Sequence, residues 1–283
     1  MKSSTQIKAL IRNLAKEKEV NAQILLRNYM LERLLERISS SEYKNNFILK
    51  GGMLIAALVG VDMRSTIDMD ATIKSFPVDK GSIEAVFNVI LNVTLDDDVK
   101  MTLKRVDEIR DEDQYNGYRV SIEAIMENAR IPLKIDITTG DEITPKEVTY
   151  TFNLLLENRS IEVLAYNIET VIAEKFETIL SRGITNTRMR DFYDIYILDK
   201  VQGHRIENIV LGEAVRKTAE NRGSVSSLTN GQAILYEVRF DESLQRYWLN
   251  YQKKNSYADD ISWEDISISI FNIWNVILEN RDR

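Results

Sequence analysis

The stretch Arg64-Ser65-Thr66-Ile67-Asp68-Met69-Asp70-Ala71-Thr72-Ile73 alternates polar and apolar residues, the pattern of a half-buried strand. Read as a strand, it points Thr66, Asp68, Asp70 and Thr72 to one face and Ile67, Met69, Ala71 and Ile73 to the other. Two carboxylates on one face, about 7 Å apart at their Cα atoms, can share Mg²⁺ ions. Upstream, the apolar run Phe47-Ile48-Leu49 leads into Lys50-Gly51-Gly52, and Met53 to Val59 reads as helix. The glycine pair therefore falls at a strand-to-helix junction, where a phosphate can approach the backbone. Together these features point to nucleotide chemistry.

Nucleotidyl and phosphoryl transfer need charge neutralisation on the phosphates and alignment of an attacking oxygen. A third carboxylate on a neighbouring strand suits that task. Pro132-Leu133-Lys134-Ile135-Asp136-Ile137-Thr138 supplies one, with Lys134, Asp136 and Thr138 on one face and Leu133, Ile135 and Ile137 on the other. An aspartate in such an apolar strand is costly unless paired or metal-bound. Asp68, Asp70 and Asp136 are therefore the candidate metal set, for Mg²⁺ or for Mn²⁺ in its place.

Two helical segments carry charges where apolar residues are expected. In Val171-Ile172-Ala173-Glu174-Lys175-Phe176-Glu177-Thr178-Ile179-Leu180, Lys175 falls about 40° from Val171, inside the arc of Ile172, Phe176 and Ile179. In Arg190-Asp191-Phe192-Tyr193-Asp194-Ile195-Tyr196-Ile197-Leu198, Asp191 lies inside the apolar arc and Asp194 at its edge. Lys175 either snorkels to an edge or meets an anion. Asp191 is either an N-cap or the partner of a buried lysine, in a bridge between helices or a site. Between the segments, Arg182, Arg188 and Arg190 offer charge to a triphosphate or an RNA backbone, or form a solvated loop. The acidic stretch 94–113 reads as a solvated hairpin, and His204 as a surface residue in a turn.

The chain has 283 residues, 44% of them hydrophobic and 29% charged, with three prolines and eleven glycines. That composition suits a helix-rich globular protein of one large or two ordinary domains. The absence of cysteine excludes disulfides and thiolate metal sites, and fits a cytoplasmic setting. Met1-Lys2-Ser3-Ser4-Thr5-Gln6 has no apolar segment behind it, so no signal peptide is expected. No apolar run reaches membrane-spanning length. One histidine leaves little room for a histidine-rich zinc site, and a net charge of −7 argues against non-specific coating of nucleic acid. Helices are expected at 4–19, 20–39 and about 82–92, strands at 118–125 and 132–138, an extra strand at 148–155, and helix from Asn167 onward apart from a loop at 221–230. The expected domains are an α/β part over 1–160 and a helical part over 161–283.

The series Leu49-Lys50-Gly51-Gly52, Arg64-x-Thr66-x-Asp68-x-Asp70, Lys134-Ile135-Asp136-Ile137-Thr138-Thr139-Gly140-Asp141, Ala173-Glu174-Lys175-Phe176 and Arg190-Asp191-Phe192-Tyr193-Asp194 resembles the AbiEii/AbiGii toxin family of nucleotidyltransferases. The resemblance covers most of the chain and implies an α+β fold of the DNA polymerase β-like superfamily, with a mixed sheet and a helical C-terminal domain closing a nucleotide cleft. It implies metal-binding roles for Asp68 and Asp70, and nucleotide contacts by Lys50, Gly51, Gly52, Arg64, Thr66 and Lys175. It gives Asp191 or Asp194 a catalytic or structural role, and Asp136 a less fixed one. It also implies an NTP substrate, an RNA acceptor such as the tRNA 3′ end, growth arrest or phage defence, and an antitoxin that acts without binding the toxin. Transfer to a protein side chain and non-catalytic GTP or RNA binding stay open as alternatives.

Overall fold

Ile131, Leu133, Ile135 and Ile137 are buried and the residues between them are not, so the alternation in the sequence is the alternation of a real strand. The computed structural model describes residues 3–110 and 116–280, without the side chains of Arg110 and Asn116. In chain order the elements are α1 Ser4–Glu17, α2 Ala22–Ser39, β1 Phe47–Lys50, α3 Gly51–Val59, β2 Met69–Ile73, α4 Lys80–Leu91, β3 Lys100–Arg110, β4 Asn116–Met126, β5 Ala129–Thr138, β6 Val148–Asn153 and β7 Ser160–Ala165. Then come α5 Ile168–Arg182, α6 Met189–Gln202, α7 Asn208–Asn221, α8 Val225–Thr229, α9 Gly231–Phe240, α10 Glu242–Gln252 and α11 Trp263–Glu279. No helix among the described residues is long and apolar enough to cross a membrane.

The seven strands form one mixed sheet in the order β3-β4-β5-β2-β1-β7-β6. The central pairs β2–β5 and β1–β7 are parallel, while β1–β2, β4–β5, β3–β4 and β6–β7 are antiparallel. The chain divides into two compact units, Met1–Asp141 with Glu147–Ala165, and Glu142–Lys146 with Tyr166–Arg283. The expected boundary at 160 thus moves to 165, because Ser160–Ala165 is a strand of the sheet paired to β1. The acidic stretch also departs from expectation: it enters β3, and Asp97 is buried. Its residues 111–113 lie outside the described residues.

Helix α2 is buried on every side from Asn28 to Ile38, including Glu32, Arg33, Glu36 and Arg37. Burying four charges costs several kcal/mol each unless they are paired, and each is. Arg37 makes a bidentate bridge to Asp97 at 2.7 and 2.9 Å. Arg33 bridges Glu32 at 2.8 Å and Glu157 at 3.0 Å, and Arg159 bridges Glu36 at 2.5 Å. Glu32 also accepts the Leu155 backbone N–H at 2.6 Å. Even so, burial pushes its carboxyl up to about 7, against the opposing pull of Arg33. Arg33 divides its charge among Glu32, Glu36 and Glu157, so no single carboxylate receives all of it.

The helical unit is built on aromatic packing. Phe176 stacks on Trp274 with centroids 6.1 Å apart. The Trp274 indole N–H donates to Gln232 Oε1, and that of Trp248 to the Ile261 carbonyl.

Two outcomes follow from the α2 charges. Asp97→Ala orphans Arg37, so urea melts should show a loss of about 3–5 kcal/mol. Glu32 has a folded-state pKa raised above its ordinary 4.5. The stability this contributes is full below about pH 4.5 and is lost as pH rises through about 7. Glu32→Gln should therefore gain on the wild type between pH 5 and pH 8, and parallel pH–stability curves would refute the account.

Candidate active site

The register places five charged residues on one line across five strands. Lys50 on β1 is opposite Asp70 on β2, Asp70 is opposite Asp136 on β5, Asp136 is opposite Arg119 on β4, and Arg119 is opposite Asp107 on β3. Residues directly opposite share a sheet face, and adjacent strands lie about 4.8 Å apart. The sheet thus carries a row ordered positive, negative, negative, positive, negative.

Asp70 reaches back over the first turn of α3. Its Oδ2 accepts the Gly52 N–H at 3.3 Å, a favourable place for an anion because the helix start carries partial positive charge. Gly51 makes this approach possible. It has a φ of +64°, and a Cβ there would lie 2.1 Å from Asp70 Oδ2. A Cβ on Gly52 would lie 2.8 Å from Thr66 Oγ1. The space opened by the glycine pair is therefore filled by side chains of the aspartate loop.

Strand β2 begins only at Met69, so Asp68 sits one residue before it and not within the expected longer strand. Thr66 Oγ1 holds this lead-in by donating to the Asp68 carbonyl at 3.1 Å. Arg64, expected to touch nucleotide, is only 1% exposed and donates to the Ser65 carbonyl at 2.5 Å. It is a strut of the loop beside Gly52. Lys50 bridges Asp141 at 2.6 Å, and Thr138 Oγ1 donates to the same carboxylate at 2.6 Å.

Asp136, the expected third metal ligand, is already paired with a cation. Each of its oxygens accepts one bond from Arg119, Nε to Oδ1 at 2.7 Å and Nη2 to Oδ2 at 2.6 Å. Among the described residues, no three acidic or histidine side chains gather as a metal cluster. Two carboxylates still fit Mg²⁺, which keeps several waters and binds through one or two carboxylates plus substrate phosphates. The proton affinity of Asp68 supports the fit. Burial and the nearby charge of Asp136 raise its pKa, while Lys134, Arg119 and Arg27 oppose this. A cation would relieve that excess of negative potential.

A second charged group lies within the helical unit. Lys175 Nζ on α5 meets Asp191 Oδ1 at 2.8 Å and Asp194 Oδ2 at 2.7 Å, both on α6. Burial alone would push the Lys175 pKa down, but the two carboxylates outweigh it and raise it. Asp191 is in the first turn of α6 and not its N-cap. It also bridges Arg188 at 3.2 Å, whereas Asp194 is fully buried. Arg188 and Arg190 are exposed, and the loop before α6 is pinned by buried Asn186, whose Oδ1 accepts the Arg188 N–H.

Arg119 and Asp141 were not legible as site residues. Arg119 does lie on the polar face of the alternating segment 118–125. Its charge, opposite in sign to Asp136, was the one available hint.

Gly51→Ala should cost about 1–2 kcal/mol for its left-handed backbone alone, and more for displacing Asp70. Gly223→Ala is the matched control, because it has a φ of +66° with nothing near its missing Cβ. The excess loss in Gly51→Ala by urea melts should come with roughly 100-fold lower nucleotide transfer. Equal losses and normal transfer would contradict the interlock of Gly51 with Asp70.

Comparisons with known proteins bear on this arrangement. The chain aligns with MenT4, a nucleotidyltransferase toxin of Mycobacterium tuberculosis H37Rv, over 97% of its own length and 99% of the other, at 11% identity and a TM-score of 0.55. That likeness shows a shared fold. JHP933 from Helicobacter pylori matches over 93% of this chain and 94% of the other, with 16% identity and a TM-score of 0.49. No curated protein matches the sequence. The family profile described as "Nucleotidyl transferase AbiEii toxin, Type IV TA system" matches residues 33–267. The match spans most of the sequence, and the chain belongs to the AbiEii family of nucleotidyltransferase toxins of type IV toxin–antitoxin systems.

Proposed function

We propose that this toxin transfers a nucleotide from an NTP to an RNA acceptor, the 3′ end of tRNA, in a Mg²⁺-dependent reaction that stops translation and growth, as in phage defence. Family membership brings an NTP substrate and a cognate antitoxin. The observation that carries the finer reading is the seat of Asp70. It lies at the start of α3, bonded to the Gly52 N–H and in line with Lys50. That puts an anion-binding helix end beside a carboxylate pair.

In this reading Asp68 and Asp70 hold Mg²⁺, which neutralises charge on the triphosphate when bound. The α3 N-terminus, whose Gly52 N–H is held by Asp70, offers the other N–H groups of its first turn to a phosphate. Gly51 keeps Asp70 close to that end, and Thr66 fixes the backbone that carries Asp68. Lys50, steadied by Asp141, adds positive charge on the β1 side. Within the helical unit, Lys175 keeps the nucleotide role that the family resemblance implies, with Asp194 as its buried anchor and Asp191 as its outer partner.

The test is incubation of the protein with each labelled NTP, Mg²⁺ and total tRNA. Label is expected on tRNA, and Asp68→Ala or Asp70→Ala should lower transfer about 10²–10³-fold. Label on protein and none on RNA would replace this reading with protein nucleotidylation. No label from any NTP, with growth arrest undiminished by Asp68→Ala, would end it.

A further inference from the structure

The Arg119–Asp136 pair lies in the part of the charged row away from Lys50 and α3, and Asp107 beyond it is held by Arg105 at 2.8 Å. Asp136 engages Arg119 side-on, through Nε and Nη2. A guanidinium has five N–H donors, so three make no bond among the described residues. The Arg119 side chain is 40% exposed, so those donors are open to a ligand. Asp136 and then Asp68 and Asp70 raise its pKa, which places the guanidinium within electrostatic reach of both candidate metal ligands.

Direction along the row matters. The phosphate-binding helix end and Lys50 lie on the β1 side of Asp70, while Asp136 and Arg119 lie on its other side. In nucleotidyl transfer the attacking oxygen and the leaving pyrophosphate are roughly in line, on opposite faces of the reacting phosphorus. A triphosphate seated over α3 therefore takes its attacking hydroxyl from the β5–β4 side. An RNA end arriving there brings its own backbone phosphate. A planar guanidinium held by a carboxylate is pre-organised for a bidentate phosphate contact.

We propose that Arg119 binds a backbone phosphate of the acceptor strand, and that Asp136 acts as the residue positioning Arg119 and not as a third metal ligand. This rests on the RNA-acceptor reading above.

The test combines binding and kinetics on Arg119→Ala, Arg119→Lys, Asp136→Asn and the double variant Arg119→Ala/Asp136→Asn. The probes are total tRNA, titrated at several KCl concentrations without NTP, and Mn²⁺, counted by electron paramagnetic resonance. Arg119→Ala should weaken tRNA binding and raise its KM roughly tenfold, the loss of one charged hydrogen-bonded contact. Its salt slope should fall by about one. The KM for NTP and the number of bound Mn²⁺ ions should stay as in the wild type. Arg119→Lys should keep the slope and lose part of the affinity, and Asp136→Asn should weaken tRNA binding less than Arg119→Ala. The double variant leaves no orphaned carboxylate, so a loss it shares with Arg119→Ala belongs to the missing guanidinium. Wild-type tRNA affinity in Arg119→Ala, or fewer bound Mn²⁺ ions in Asp136→Asn, would overturn the proposal. Absence of label on tRNA with the wild-type protein would overturn the reading beneath it, whereas normal wild-type labelling with an unaltered Arg119→Ala overturns this proposal alone.

Discussion

The seat of Asp70 depends on an atom that is absent. A β-carbon at Gly51 would stand 2.1 Å from the Asp70 carboxylate, so the loop from Arg64 to Asp70 closes on α3 only with glycine there. Gly52 plays the matching part for Thr66. The two glycines and the spaced threonine and aspartates thus form one interlocked object, although some eighteen residues separate its halves in sequence. Each residue type answers to the shape of the other half. Whatever the site does, its geometry is set by this contact between a helix start and a strand start.

The sheet unit handles charge in two different ways. Around α2 the charges are buried and closed upon one another: Arg37 with Asp97, Arg33 with three glutamates, Arg159 with Glu36. Such pairs are expensive to break and weak as net stabilisers, and they hold α2 in a single orientation. On the sheet face the row from Lys50 to Arg119 is only partly buried. Asp68 keeps a raised affinity for a proton because it is partly buried and lies near the charge of Asp136. The first arrangement fixes position, and the second leaves unbalanced potential where chemistry needs it.

How much of this was readable follows from which interactions are local. Alternation found β5 and the facing of Asp136, since period two survives in a single strand. It overextended β2, because Thr66 and Asp68 keep the alternation while held in a loop by a side-chain bond. Helical angles singled out Lys175 and Asp191, and their pairing follows from two buried opposite charges. Strand β7 was missed because Ser160–Ala165 is short and only half buried. Asp97 was read as solvated because its partner Arg37 lies 60 residues away. The claim of Arg119 on Asp136 needs the β4–β5 register, which one sequence does not encode in any local pattern. Arg64 stands among the expected nucleotide contacts, and its burial depends on the fold of the loop and not on any local pattern.

The segment Glu142–Lys146 leaves the sheet unit and belongs to the helical one before β6 and β7 complete the sheet. It is tied to the start of α5. The Asn167 amide donates to the carbonyls of Thr144 and Lys146, and the Thr144 N–H donates to Thr170. Neither unit is therefore a continuous piece of chain. A fragment starting at Tyr166 would expose a helix start stripped of its partners, and one ending at Asp141 would lack two strands. On the ribosome, Thr144 emerges before the helix it will bind, and the β6–β7 hairpin must follow before that helix arrives. The two units are thus interleaved along the chain, and a single cut between them takes a strand pair or a helix partner from one of them.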